Sequence, residues 1–445
     1  VIHDETDYFD YDGEKVQAHY SSLTLHRKCP EAWYYRYGLG IRQIQHGEPA
    51  PYMHAGSWWG ALRAADIYER GRQLGSLLDI ARPFKATDDT PGGHFDPTTV
   101  TRKDVLRAAM EWWREMPADH KDVWMDKIGK DLVSHLIYTF ENWRDRFAEE
   151  IKYERPLGAE VFWKKRLPRP EGDAAWAGDA VKDLPEMWLL GYIDELYEDT
   201  QRGMIVVRDH KFNSRMGVRT AIDEMMDSQL ELYGWGVGDI LAKAGLPQVR
   251  AVAYDRARSV APKPPTLTTA GRLASRNGEP SINGSDLRTY LAWAAGPDGE
   301  GLPWRGAAFP RNAAEKADPK LPTRYKPGGV YTAEPAIIER LSSETHQSQW
   351  FQRKLMPLNT NVVKAHLRSA IDSATDIWRT TKRAEITGGA ARNLSTSGCQ
   401  WCDYQQLCQA RMRGGNQGVY DLREFGLASK KGEVLAAGEL VSPGA

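Results

Sequence analysis

Cysteine is scarce in this chain: four among 445 residues, at Cys29, Cys399, Cys402 and Cys408. So few thiols exclude a disulfide-dense scaffold, and the cytosolic look of the rest argues against two structural bridges. Long apolar runs are missing as well; nowhere do about 18 apolar residues follow one another, which excludes a membrane-spanning helix. An excess of either charge is also absent. Lys and Arg number 59 against 60 Asp and Glu, a net charge of −1, so nucleic-acid binding would rest on local basic patches rather than on the overall field. The opening VIHDETDYFDYDG lacks the basic-then-apolar pattern of a secretory signal, and the expected location is cytoplasmic. No internal repeat is visible.

What is present is a soluble globular composition, 41% hydrophobic and 27% charged, over a length that calls for two or three subdomains. Sixteen tryptophans are many; most suit a core, and exposed ones could stack on bases. Three of the four cysteines form a C-x2-C-x5-C group near the end of the chain, with no histidine inside it. Joined by Cys29, they make a four-thiolate donor set for zinc or an iron–sulfur cluster.

Residues 1–20 read as a flexible tail and 21–150 as a helical lobe that carries Cys29. In SSLTLHRKCPEAWYYRYGLG a serine can cap a short helix, Cys29-Pro30 interrupts it, and Trp33, Tyr34 and Tyr37 offer an aromatic face. Gly56 to Arg70 has helical spacing stopped by Gly71, residues 71–100 read as loop, and 101–150 repeat apolar residues at helical period. A core follows over 151–255. Glu160 begins a strand that runs into basic Lys164-Lys165-Arg166. Residues 221–244 form an amphipathic helix in which Gln229 and Tyr233, four apart, point the same way, and Val249 to Tyr254 alternates like a strand. Residues 256–345, rich in Pro, Gly and Ser, read as an insertion with a short helix at Leu287 to Ala295. A helix over Asn361 to Arg383 ends in Arg379, Lys382 and Arg383; with the cysteine group it makes a unit over 346–415, and 416–445 reads as a tail.

The stretch that orders the rest is Gly191 to Lys211, GYIDELYEDTQRGMIVVRDHK. It reads as two strands joined by a turn at Glu198 to Gly203, the first carrying Asp194 and the second ending in Asp209-His210-Lys211. Period-two geometry puts Asp209 and Lys211 on one face. If the register brings Asp194 beside them, two hard carboxylates suit Mg²⁺ or Mn²⁺ and the lysine can orient a water or offset charge. Taken alone, Asp-x-Lys is also what an edge hairpin with solvated charges carries.

Laid end to end, these pieces resemble the RecB-like branch of the PD-(D/E)xK nuclease superfamily, closest to its iron–sulfur exonucleases of CRISPR-associated and phage type. The resemblance rests on Cys29-Pro-Glu-Ala-Trp-Tyr34, Gly56 to Gly60, Glu160, Gly191-Tyr-Ile-Asp194, Asp209-His-Lys211, Gln229 to Tyr233, and Cys399, Cys402 and Cys408. It implies an α/β, restriction-endonuclease-like mixed sheet flanked by helices, with a helical lobe and a C-terminal cluster region. It further implies hydrolysis of DNA phosphodiesters, as an exonuclease on single strands or ends, with Mg²⁺ or Mn²⁺ on Asp194 and Asp209. Lys211, Gln229 and Tyr233 complete the implied catalytic set, with Glu160 in an outer shell. The four cysteines would hold a structural [4Fe–4S] cluster, zinc being the alternative. DNA is the implied partner, and protein partners in recombination or replication stay unspecified. One element departs: the family's metal-binding histidine falls at Gly60, which cannot ligate, and His54 could substitute only if the helix began after it. That departure keeps a second reading open, a DNA-binding or assembly protein with weak or lost catalysis.

Overall fold

The computed structural model describes residues 15–43, 51–87, 89–168, 185–214, 216, 229–265, 275–276, 279–280, 284–295, 302–303, 330–331, 335–400, 402–414, 418–429, 433–436 and 439–441. At its centre lies a mixed sheet of six strands: β1 (Lys15–His19), β2 (Glu154–Arg166), β3 (Glu186–Asp199), β4 (Met204–Asn213), β5 (Val249–Arg258) and β6 (Phe351–Pro357). β2 runs antiparallel along β3, β4 lies parallel to β5, and β6 closes the far edge antiparallel to β5. β3 changes partner along its length. Its first half pairs in parallel with β1, ending at His19 opposite Leu190; its last five residues pair antiparallel with β4, starting at Glu195 opposite Arg208. β1 and β4 therefore share one lane beside β3, and Gly191 to Asp194 fall in the gap between them.

Helices cover both faces. One face packs α1 (Tyr20–Lys28), α6 (Gln229–Gly236) and α7 (Thr360–Thr387) on Ile205, Val207, Ile193 and Val252 in the larger apolar core. The other carries the lobe of α2 (Pro51–Leu74), α3 (Arg102–Glu115), α4 (Ala118–Ile128) and α5 (Leu132–Arg146), whose Trp59, Phe140 and Trp143 pack toward Ala159, Ala257 and Phe351. Local chemistry sets the helix ends. Thr101 caps α3 in a reciprocal box with Asp104, Asp131 caps α5 through the Ser134 amide, and Asn359 caps α7, which stops at Gly388 with φ +71°. No helix among the described residues is long and apolar enough to cross a membrane.

Several expectations need correction. Lys15–His19 is a sheet strand rather than part of a tail, with Val16 and Ala18 buried in the core. Gly71 does not stop α2, which runs to Leu74; a Cβ there would lie 2.3 Å from Leu77 Cδ2, so glycine lets the returning chain pack on the helix. The stop is Gly75, at φ +59°. The end of the chain is also attached: Leu427–Ser429 pairs with Ile41–Gln43, and Leu422, Leu427 and Leu435 sit in the larger core. Of the helix expected over 221–244, residues 221–228 lie outside the described residues; the rest is α6 and a short helix, Gly238–Lys243. Most of 256–345 also lies outside them, but a helix spans Leu287–Ala295 as its pattern implied, tied to the lobe by the Tyr138 hydroxyl donating to Asp286 at 2.6 Å.

Between the sheet and the lobe lies a layer of charge that sequence reading missed. Arg208 donates to Glu195 at 2.9 Å and Glu154 at 2.6 Å; Arg353 bridges Glu154 at 2.9 Å and Asp255 at 2.8 Å; Arg63 reaches Glu195 at 3.4 Å and Asp255 at 3.8 Å. Three arginines thus face three carboxylates, all essentially without solvent. Arg63 also lies 3.3 Å from the centre of the Trp143 ring, whose Nε1 donates to Asp255 at 2.9 Å. Burial alone would raise the carboxyls, yet Arg208 holds Glu195, and Arg353 and Arg63 hold Asp255, well below the usual carboxylate range. In such a set the removal of one partner strands a charge where water cannot reach it. Arg208→Met should cost about 3–5 kcal/mol by leaving Glu154 and Glu195 facing each other. Urea unfolding of both proteins checks this, and a loss near zero would show that the charges are solvated.

Candidate active site

The gap in the lane beside β3 is where the candidate residues meet. Continuing the β3–β4 register beyond Glu195 and Arg208 brings Asp194 opposite Asp209, but the strands part there. The amide of His210 donates instead to Asp194 Oδ2 at 2.7 Å, so a carboxylate takes the place of the next strand carbonyl. Asp209 and Lys211 share a face, Lys211 Nζ lying 2.8 Å from Asp209 Oδ1. His210 points the other way, with Nε2 3.1 Å from Glu195 Oε2, and so ties the site to the buried ionic layer. Glu160 on β2 falls between the Ala159–Glu195 and Val161–Ile193 pairs, opposite Asp194.

Three carboxylates converging with one lysine leave the site short of positive charge. Burial, then Asp209 and Glu160, push Asp194 up to about 8, against the opposing pull of Lys211 and the His210 amide. Asp209 is 2% exposed, and its Oδ2 has no hydrogen-bond partner among the described residues. Glu160 carries strain as well: its φ of +48° makes it the one non-glycine at positive φ among the described residues, a conformation costing about 1–3 kcal/mol. The Tyr68 hydroxyl donates to the Ala159 carbonyl and pins the peptide just before it. Glu160, expected in an outer shell, faces Asp194 across the strand pair, and its charge adds to the rise of Asp194.

A hard cation fits this donor set. It would neutralise the carboxylate pair and give the orphaned Asp209 oxygen a partner. No group of three or more His, Cys, Asp or Glu among the described residues forms a ready-made metal cage. Mg²⁺ does not require one, since it keeps several waters and is commonly bound by one or two carboxylates plus substrate oxygens. Gly60 lies within α2 and offers nothing. His54 lies in the same helix, which begins before it at Pro51, and its ring packs on Trp112 at 5.2 Å between centres. The substitute-ligand expectation for His54 therefore fails, because a continuous helix commits that side chain to the aromatic lobe.

Gln229 and Tyr233 lie on one side of α6, Gln229 Nε2 donating to the Tyr233 hydroxyl at 3.0 Å. Burial raises the Tyr233 pKa, so the phenol stays protonated. Gly191 makes room for it: a Cβ there would sit 3.0 Å from the Tyr233 ring and 3.3 Å from Trp163 Nε1.

All four cysteines are free thiols and line one cavity of about 290 Å³. Cys29 enters between α1 and a turn begun by Pro30, Cys399 and Cys402 follow α7, and Cys408 sits on α8 (Gln405–Gly414). Burial pushes the Cys402 and Cys408 thiols up, and Cys29 adds to both shifts. In donor type, four thiols without histidine suit zinc or an iron–sulfur cluster, but no three of them form a ready-made metal group among the described residues. Beside the cavity Glu31, 1% exposed, receives Arg411 at 3.2 Å and Arg392 at 3.3 Å, tying the start of the chain to its end.

The family model of the PD-(D/E)XK nuclease superfamily matches residues 19–409. No curated protein matches the chain. Independently of any family, the Asp194 charge state makes a prediction for the metal-free protein. A carboxyl held at about 8 when folded and about 3.9 when unfolded stabilises the fold at low pH and loses that stabilisation as pH rises toward 8. The buried His19, His26 and His135, lowered to about 4, act oppositely but only below about pH 6.5. Above that, the melting temperature in chelator should fall with rising pH, and Mg²⁺ or Asp194→Asn should flatten the slope. A flat profile in chelator would show that Asp194 is already ionised.

Proposed function

The chain belongs to the PD-(D/E)XK nuclease superfamily, and we propose that it is a metal-dependent deoxyribonuclease acting as an exonuclease on single strands or DNA ends. The observation that carries this reading is the convergence of Asp194, Asp209, Glu160 and Lys211 where β3 and β4 part. A divalent metal, the family's usual cofactor, supplies polarisation of the scissile phosphate and activation of a water. Asp194 and Asp209 would hold it, with Glu160 close behind. Lys211, fixed 2.8 Å from Asp209, orients the attacking water and offsets charge that builds on phosphorus. The protonated Tyr233 and its partner Gln229 present neutral donors to a DNA strand beside the carboxylates. The four cysteines hold a [4Fe–4S] cluster in a structural role, with zinc as the alternative. Reduced thiols of this kind suit the cytoplasm of a bacterial or phage-infected cell.

Gly60 supports a second reading, in which a site lacking the family's imidazole binds DNA but cleaves poorly. End-labelled linear and circular single strands, incubated with Mg²⁺ or Mn²⁺, separate the two. Cleavage of the linear strand alone is expected, and Asp209→Asn should lower the rate by about 10² or more while binding persists. Binding without products from either substrate favours the second reading; Asp209→Asn cleaving at the wild-type rate removes that residue from the site.

The cluster has a separate test. Lys211→Ala should abolish cleavage and leave a brown protein with wild-type resistance to proteolysis, since Lys211 is partly exposed. Cys402→Ser should be colourless, protease-sensitive and prone to aggregate, because ligand loss removes folding energy as well. A colourless wild type containing zinc would replace the cluster with zinc.

A further inference from the structure

The face of the sheet that bears the carboxylate site continues from β4 onto β5. On β4, Ile205 and Val207 pack in the larger core, so Asp209 and Lys211, at the same period, keep to that side. On β5, Val252 and Tyr254 pack in the same core, which places Arg256 on that side as well. The opposite face agrees: Asp255 meets Arg353 at 2.8 Å in the ionic layer, and Ala257 joins the core of the lobe. β4 and β5 pair in parallel without a shift from Val206 to Asn213, setting Asp209 beside Tyr254 and Lys211 beside Arg256. Neighbouring strands lie about 4.8 Å apart, so Arg256 starts one strand spacing from the lysine of the site.

Arg256 is 7% exposed, and its guanidinium lies 4.9 Å from the centre of the buried Tyr254 ring. It interacts further within the protein, so the arm is held rather than free. Packing on a ring is one role for such a residue. A planar fork can lie against an aromatic ring and still donate N–H groups along its edge. Lys211, by contrast, already lies 2.8 Å from Asp209 Oδ1, a carboxylate that offsets much of its charge. Asp194, Asp209, Glu160 and an arriving phosphodiester outnumber a divalent ion and Lys211 by one charge. Arg256 is the cation that the register sets beside them.

The geometry points to Arg256 as a further catalytic residue, one that donates its N–H fork to a non-bridging oxygen of the phosphate being cleaved. This inference rests on the nuclease reading above and extends its site by one strand. In the hydrolysis the water oxygen bonds to phosphorus, the bond from phosphorus to the departing sugar oxygen breaks, and a proton of the water ends on that oxygen. Negative charge gathers meanwhile on the non-bridging oxygens, and a guanidinium already in place holds them more strongly than it holds the ground-state phosphate. Its effect therefore falls on rate more than on binding.

Two measurements on one end-labelled single strand test it: single-turnover cleavage at saturating enzyme and Mg²⁺, and fluorescence anisotropy in chelator, where no cleavage occurs. Arg256→Gln should lower the cleavage rate by about 10² or more. In chelator it should weaken binding by less than about tenfold and reduce the salt slope by about one. Arg256→Lys, which restores the charge but not the fork, should recover the salt slope and only part of the rate. A folded Arg256→Gln protein that cleaves within about threefold of wild type overturns the contact, as does a loss confined to binding with the saturated rate unchanged. Should Arg256→Gln fail to fold, Arg256→Lys decides, and a wild-type rate there overturns the fork. Either result leaves the nuclease reading standing, whereas a wild type that binds the strand and never cleaves it removes both.

Discussion

One strand that serves two partners in turn makes this site. β3 gives its first half to β1 and its last residues to β4, and both partners occupy the same lane. Where one has ended and the other has not begun, four residues keep one edge unpaired by any strand, and Asp194 closes them. A backbone donor stranded at such a place is costly unless it finds an acceptor. The His210 amide finds Asp194 itself, so satisfying the backbone also aims the carboxylate. Gly191, at the other end of the gap, admits the ring of Tyr233. The opening in the sheet and the chemistry within it have a single origin.

Behind this opening the protein holds a largely buried layer of charge. His210 spans the two regions: its backbone serves the aspartate, while its imidazole lies against Glu195 in the ionic layer. That layer is a poor source of net stability, because desolvating ions costs nearly what pairing returns. Its contribution is geometric. Arg63 on α2, Arg208 on β4 and Arg353 on β6 have few alternative partners once buried, which fixes the lobe on the sheet.

The residues legible in the sequence were those whose partners lie close along the chain. Asp209 and Lys211 are two apart, Gln229 and Tyr233 four, and Asp194 reaches the first pair across one short turn, so strand and helix periods alone brought them together. Arg63, Glu195 and Asp255 were missed because each finds its partner far away, and such charges look like any solvated face when read locally. The strained setting of Glu160 was hidden for another reason: it is a backbone angle that sequence does not announce. Gly71 misled in the opposite direction, since glycine marks close approach as readily as it marks a helix stop. The end of the chain read as a tail because its strands are three residues long and carry too little pattern to register.

The bond between Glu31 and Arg411 joins residues 380 positions apart, beside the cavity that gathers Cys29 with the three late cysteines. Proteins are made from one end. At about 5–20 residues per second, Glu31 and Cys29 leave the ribosome roughly 20 to 80 s before Arg411 is joined to the chain. Asp194, Asp209 and Lys211 are all translated within that interval, while the early cysteine still waits for its companions. The cysteine cavity can thus close only after every residue of the carboxylate site has been made.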